Sequence, residues 1–354
     1  MGAGRGGLRG ARAACPVSRA ARHTGSSPRV RPIALFLALG ALAGCSGAQT
    51  PLDPWGIQAD RIATLTHVLF WGGAVVFLIT MAALALAILA PARMRALMGS
   101  QRFLIGMGIV FPATVLTALL GYSLGVSRAL TQPMSDAPLR IEIIGRQYWW
   151  EVRYPDLGEG AVTANALHLP LGREVELNLT SGDVIHSVWV PNLHGKLDMI
   201  PGRVNRQRLR ADRLGTLRGQ CTEFCGQQHS LMAFDVVVQE PQEFDAWVAR
   251  QRAPVPEPET EEHRRGMQVF GEAGCGACHA VRGTSWAARI APDLSRVGSR
   301  ATLAAGALPN THGNLAGWIA APQDIKPGNA MPAYARALEG SDLLALASWL
   351  GSLR

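Results

Sequence analysis

No acidic residue occurs among the first 31 positions of this 354-residue chain, and no charged side chain lies between Arg61 and Arg93 or between Arg102 and Arg128. No internal repeat is visible, which excludes a solenoid or a propeller. The first absence disposes of nucleic acid as a partner. The formal charge of +8 is concentrated in Arg5, Arg9, Arg12, Arg19, Arg22, Arg29 and Arg31, and residues 45–354 carry 27 basic against 26 acidic groups. No excess of positive charge is left over for a polyanion.

The early arginines are followed by the apolar run Ile33 to Leu42 and by Ala43-Gly44-Cys45. A basic segment, an apolar segment too short to span a bilayer and small residues before a cleavage point predict an export leader over residues 1–44. The tetrad Leu42-Ala43-Gly44-Cys45 resembles a lipobox, which implies cleavage before Cys45 and acylation of its sulfur; ordinary signal cleavage nearby is the alternative. The two uncharged stretches contain 31 and 25 residues, where about 20 suffice to cross the hydrocarbon. They predict a transmembrane hairpin at about 64–90 and 103–127. Its short loop holds Arg93, Arg95 and Arg102 without an acid, which puts the loop in the cytoplasm and everything after about residue 128 outside a bacterial inner membrane.

From residue 138 the pattern changes to short runs with strand character: Leu139–Ile144, Tyr148–Tyr154, Glu174–Leu179, Val184–Val190 and Phe234–Val238. Alternation of Val175, Leu177 and Leu179 with Glu174, Glu176 and Asn178 is the period of a half-buried strand. Residues 138–250 are therefore expected to form one small antiparallel sandwich, residues 251–261 a Pro-rich linker stiffened by Pro254, Pro256 and Pro258, and residues 262–354 a helical domain. Such a linker could let the last domain swing. The sandwich carries 12 basic and 14 acidic residues and the last domain 9 and 6, so the two attract each other weakly.

Six cysteines in an exported chain first suggest disulfides, but four of them sit in local patterns with histidine. Cys221, Cys225, His229 and Met232 fall within twelve residues, and His186 lies on an earlier predicted strand. Two thiolates, two imidazoles and a thioether make a soft ligand set, suited to copper. Two sulfurs bridging two coppers would use every one of these donors; a Cys/Cys/His/His zinc site and a Cys221–Cys225 disulfide are the alternatives, and neither has a use for Met232. Cys275-Gly276-Ala277-Cys278-His279 is the spacing of covalent haem attachment, with His279 as one axial ligand. Met331, between Pro327-Gly328 and Pro332, is the candidate second axial ligand, and Met267 on a helical pattern is read as packing. Arg300 is a candidate partner for a haem propionate or a solvated surface group. His67, His168, His194, His263 and His312 are read as ordinary interfacial or surface histidines, and Trp189 and Trp247 as core.

Gly145 to Trp150, Asp183 to Ser187, Lys196 to Arg203 and Cys221 to Met232 resemble subunit II of haem–copper cytochrome c oxidase, and the Cys275 region with Ala291-Pro292-Asp293-Leu294 resembles the cytochrome c domains fused to its C-terminus. The resemblance implies a multidomain fold: a two-helix transmembrane hairpin, a cupredoxin-like all-β sandwich and an all-α class I cytochrome c domain. It implies a dinuclear copper A centre held by His186, Cys221, Cys225, His229, Met232 and the main-chain carbonyl of Glu223, whose side chain also approaches a magnesium site. It further implies one haem c on Cys275 and Cys278 with His279 and Met331 on the iron. Electrons would pass from a donor, such as cytochrome c or an upstream respiratory complex, through haem and copper to haem in subunit I, for reduction of oxygen to water coupled to proton translocation, with subunit III as a further partner. The spans offer only His67, so the oxygen site itself must lie on another chain. A membrane-anchored copper carrier is the rival reading. Two departures stand out: Tyr148, followed by Trp149, occupies the place of the family's usual Trp where electrons enter, and Ile105 stands seven residues before Pro112 where many members have Glu.

Overall fold

The computed structural model describes residues 47–133 and 136–354; the leader 1–44 and the lipidation candidate Cys45 lie outside the described residues. Uncharged sequence becomes two helices long and apolar enough to cross a membrane. The first, α1, spans Ile57–Leu89; after a short α2 at Ala92–Met98, the second runs as α3 (Gln101–Ile105), a π-helical turn (Gly106–Val110) and α4 (Phe111–Thr131). The wider turn immediately precedes Pro112, which lacks an N–H, and there the Phe111 N–H reaches back five residues to the Gly106 carbonyl. Leu78, Ile88, Leu89, Ile109 and Leu116 project outward, each more than 60% exposed, as a lipid-facing surface requires.

The first turn of α1 is not free. Gln58, Ala59 and Ala63 are buried, Arg210 N–H donates to Gln58 Oε1 at 3.3 Å, and Trp55 exchanges backbone bonds of 2.7 Å with Asn192 and Asp212. Arg61 donates to the Ala129 carbonyl and ties the outer ends of the two long helices together. The span thus starts directly from the sandwich.

Ten strands build that sandwich: β1 Leu139–Arg146, β2 Trp149–Arg153, β3 Val162–Ala164, β4 Ala166–Pro170, β5 Glu174–Ser181, β6 His186–Trp189, β7 Leu197–Met199, β8 Asn205–Arg210, β9 Gly215–Cys221 and β10 Ala233–Gln239. They pair as β3-β2-β1-β5-β8 and β4-β10-β9-β6-β7. The expected all-antiparallel arrangement is corrected here, because β1 runs parallel to β5 and β4 parallel to β10. Alternation in β1 sends Leu139, Ile141 and Ile143 into a core shared with Trp150, Leu177, Phe234 and Val236. Helix α5 (Pro241–Arg252) closes one side with Phe244 and Trp247.

His168 is not a surface histidine: its ring stacks on Trp247 at 4.1 Å, and Nδ1 lies 2.8 Å from Gln239 Oε1. Burial draws its pKa down to about 4. His194 is half-buried as well, with Nδ1 at 3.0 Å from Gln207 Nε2.

Helix α6 (Glu261–Glu272) opens the last domain, with the Thr260 hydroxyl accepting from the His263 N–H at 3.1 Å as its cap. After the hairpin β11 (Thr302–Leu303) and β12 (Leu308–Pro309) come α7 (His312–Ala320), α8 (Pro322–Ile325) and α9 (Gly340–Ser352). α6 crosses α9 where Gly266 meets Ala345, and a Cβ there would sit 2.2 Å from the Ala345 carbonyl oxygen. Phe270, Trp286 and Trp349 pack at 4.8–6.2 Å around the crossing, and Met267 packs beside them.

The linker is hydrogen-bonded to the last domain along its first residues. Arg296, 6% exposed, donates to the carbonyls of Arg250, Ala253 and Pro254 at 2.8, 2.7 and 3.1 Å, and the Val255 N–H bonds to Arg282. Those three carbonyls would otherwise lack protein partners in a segment whose prolines cannot build a helix.

Candidate metal centres and the surface between them

Strand β9 ends on Cys221, and the loop that follows returns to β10 after Met232; the Cys221 N–H bonds to the Met232 carbonyl at 3.0 Å and closes the loop at its base. Strand β6 begins on His186 beside it, since Val188 pairs with Cys221. The donors converge. His186 Nδ1 lies 3.9 Å from Cys221 Sγ, Cys221 Sγ 3.9 Å from Cys225 Sγ, Cys225 Sγ 3.7 Å from His229 Nδ1 and 3.8 Å from Met232 Sδ, and the Glu223 carbonyl oxygen 3.3 Å from Cys221 Sγ. Such separations match donor-to-donor spacings around first-row metals whose bonds to sulfur are about 2.3 Å, and the donor atoms of His186, Cys221 and Cys225 all lie within 4.8 Å of one another. The two sulfurs are not joined in the structure, their separation being far longer than a disulfide bond of about 2.05 Å. The soft donor set fits copper.

Supporting groups orient the donors. Asp183 Oδ1 lies 2.7 Å from His186 Nε2, leaving Nδ1 for the sulfur side, and Asp183 Oδ2 accepts from the Gln147 N–H at 2.7 Å. Burial works to raise the Asp183 pKa, but the hydrogen bonds from His186, Gln147 and Val184 bring it below the carboxylate range. The Cys225 sulfur, hydrogen-bonded to Cys221, pulls the Cys221 thiol far down, and Cys225 is raised by the same contact. His186 rests against the backbone of Gly145, where a Cβ would come within 2.8 Å of the ring. His186, Cys221, Cys225 and Met232 are all 3% exposed or less.

The second centre is a cavity of about 260 Å³ lined by Cys275, Cys278, His279, Met331, Arg300 and apolar residues of α7 and α9. His279 Nδ1 lies 2.7 Å from the Pro292 carbonyl, which accepts a hydrogen bond from its N–H and leaves Nε2 free for iron. Burial lowers the His279 pKa, so the ring is held neutral, as a ligand must be. Asn329 Oδ1 receives the Met331 N–H at 2.8 Å and Gln323 donates to the Met331 carbonyl at 3.0 Å, which fixes the loop presenting the thioether. Arg300 is no solvated surface group. It donates to the Asp293 carbonyl, burial lowers its pKa to about 10, and its buried Nε has no partner among the described residues. An apolar cavity with two thiols, a neutral imidazole, a thioether and an arginine awaiting an anion fits a covalent haem with a propionate on Arg300.

Gln147, Tyr148 and Trp149 of the sandwich form part of the wall of this same cavity. Gln147 Nε2 donates to the Cys225 carbonyl at 2.6 Å, and the Tyr148 hydroxyl accepts from the Gln227 N–H at 3.1 Å. One turn therefore touches both centres. Trp149 instead carries the Arg146 guanidinium 5.9 Å from its ring. The Glu223 carboxylate is half-exposed and lies 3.5 Å from Lys196. Sequence reasoning named the donors but assigned no role to Lys326, Arg296, Gln228 or Asp183. Asp183 and Gln228 lie inside the stretches that carried the resemblance, so adjacency to a ligand was the available signal.

Residues 160–240 match the family described as cytochrome C oxidase subunit II, periplasmic domain, and residues 263–354 match cytochrome c. Cytochrome c oxidase subunit 2 of Alkalihalophilus pseudofirmus is 41% identical over 221 residues, covering 62% of this chain and 63% of that one. The Bacillus subtilis subunit is 34% identical over 225 residues, covering 61% and 62%. The chain thus spans just under two thirds of the length of these two relatives. The solved periplasmic domain of subunit II of the Bradyrhizobium japonicum oxidase aligns at 30% identity and a TM-score of 0.32, over 34% of this chain and 100% of that one. The subunit of Bacillus sp. strain PS3 is 33% identical over 249 residues, 67% of this chain and 69% of that one. On that extent of similarity, and with a cytochrome c domain after the sandwich, the chain belongs to the cytochrome c oxidase subunit 2 family.

Proposed function

We propose that this chain is the electron-relay subunit of a haem–copper cytochrome c oxidase, with its own tethered cytochrome c. His186, Cys221, Cys225, His229, Met232 and the Glu223 carbonyl hold two copper ions as copper A. Cys275 and Cys278 bind haem c covalently, and His279 and Met331 hold its iron. When bound, these groups supply one-electron carriers, so that electrons from a donor cross this chain to haem in subunit I, where oxygen is reduced to water with proton translocation. The observation that carries the reading is the shared turn: Gln147–Trp149 lines the haem cavity and is hydrogen-bonded to the copper loop at Cys225 and Gln227.

The chain's own residues exclude water and fix positions. Buried donors in a closed loop keep the copper site rigid, which limits the rearrangement accompanying each electron; a carrier that must release its metal would expose them. The exposed Phe224 and half-exposed Glu223 on the same loop are available to subunit I and to a magnesium ion shared with it. The long helices anchor the chain, with both metal domains on the periplasmic side of the inner membrane, alongside subunit III. Export follows from the leader, with Cys45 as the lipid attachment point.

Cys221→Ser tests this. The haem optical spectrum remains, the spin-resonance signal of two coppers sharing one unpaired electron disappears, and electron delivery to subunit I stops. Normal oxidase turnover in that variant, or one tightly bound zinc in the unmodified chain, refutes the relay.

A further inference from the structure

The sequence contains two lysines, Lys196 and Lys326. Lys196 is half-exposed beside Asp198 and Glu223, whereas Lys326 is 2% exposed. Lysine is almost never fully buried without partners, and withdrawing an ammonium from water costs several kcal/mol. The partners of Lys326 are two backbone carbonyls: Tyr148 of the sandwich at 2.7 Å and Ala304 of its own domain at 3.2 Å.

A second observation points to the same place. Ala304 and Ala305, between β11 and β12, both adopt left-handed backbone, with φ of 52° and 58°. For residues with a Cβ this is strained, and it persists where the surroundings enforce it. The segment turns the Ala304 carbonyl to Lys326 and the Ala305 carbonyl to the Ala233 N–H of the sandwich, at 3.0 Å. Thr302 of β11 adds a 2.8 Å bond to Asp235. Gln228, next to His229, donates to the Pro327 carbonyl at 2.8 Å. The loop that carries Met331 and the loop that carries His229 are therefore stitched together, with Lys326 at the centre.

We propose that Lys326 is a positioning residue whose buried ammonium docks the haem domain onto the Gln147–Trp149 turn and so fixes the separation of the two metal centres. This rests on the relay reading for its consequence, though not for the docking itself. Burial lowers the Lys326 pKa to about 8, with the nearby Cys225 opposing the fall, so the side chain is still largely cationic at neutral pH. A neutral side chain of similar length fills the space but leaves the Tyr148 and Ala304 carbonyls without their charged donor.

The test uses the full chain, loaded with both centres and assembled in its complex, with Lys326→Met and Lys326→Gln. Hydrogen exchange is followed at Ala233, whose N–H bonds across the interface, and at Ala273, whose N–H bonds to Val269 inside the haem domain. Loss of one charge-assisted hydrogen bond lowers the docked population about tenfold or more. Ala233 then exchanges faster by that factor, Ala273 is unchanged, both metal spectra persist, and haem-to-copper transfer slows. Unchanged exchange at Ala233 in both variants, or equal acceleration at Ala233 and Ala273, overturns the proposal. Accelerated exchange at Ala233 alone, in a chain whose reduced haem never passes an electron to copper even with Lys326 present, upholds docking and refutes the relay. Where Lys326→Met fails to load haem, the polar Lys326→Gln variant decides.

Discussion

Gly145→Ala probes how tightly the fold holds its metal donors. The added Cβ would lie 2.8, 2.9 and 3.1 Å from three atoms of His186, where ordinary carbon contacts are about 3.5–4.0 Å. Gly145, the penultimate residue of β1, is paired on both sides, with β2 and β5 in register at Trp150 and Ser181, so the ring must yield rather than the backbone. It must withdraw by roughly 0.6 Å, whereas a metal site tolerates about 0.2 Å in its bond lengths. His186 has nowhere neutral to go, being fully buried between Gly145, Trp150 and the sulfurs. The expected cost is about 1–3 kcal/mol of stability from overpacking and a copper affinity lower by about 10- to 100-fold. Competition titration with a copper chelator reads the affinity, and the haem spectrum reports that the second domain is intact. Wild-type copper affinity and spin-resonance spectrum in Gly145→Ala would show that His186 is not held where the structure places it.

Two further perturbations follow from the packing. His168 has a folded pKa of about 4 against about 6.5 unfolded, so the unfolded chain binds its proton more readily. Stability is fully present above pH 6.5 and falls as the pH drops toward 4, by at most about 3 kcal/mol. His168→Phe, which keeps a ring on Trp247, should flatten that slope in denaturant midpoints compared between pH 7 and 4.5; an unchanged slope assigns the acid sensitivity elsewhere. Arg296→Gln strips donors from the carbonyls of Arg250, Ala253 and Pro254 and should free the linker. Trypsin cleavage after Arg252 should then accelerate by about tenfold or more, as expected for losing over 1.4 kcal/mol of local protection; a wild-type cleavage rate would show that the linker is held by other contacts.

Much of the architecture was legible because it depends on neighbours in the chain. Charge-free runs of membrane length, strand alternation around Val175 to Leu179, and the donor spacings from Cys221 to Met232 and Cys275 to His279 are local facts. Strand direction was not legible. The parallel pairing of β1 with β5 depends on where a connection of 27 residues leads, and β3, β7 and β9 are too short or too polar to announce themselves by alternation. The outward reading of His168 failed because its partner Trp247 lies on a distant helix, and nothing beside it in sequence marks the stack.

The sequence by itself determined the chemistry: which donors are soft, which cysteines carry a histidine beside them, and which segments can lie in lipid. Only the tertiary structure decided how the two metal-binding domains meet. Lys326 and Tyr148 are 178 positions apart, and the linker between their domains looked from composition like a tether. Docking is a sum of a buried ammonium, a strained alanine pair and carbonyls captured by Arg296. None of these is a property of local sequence, because each exists only when a donor from one domain reaches an acceptor in another.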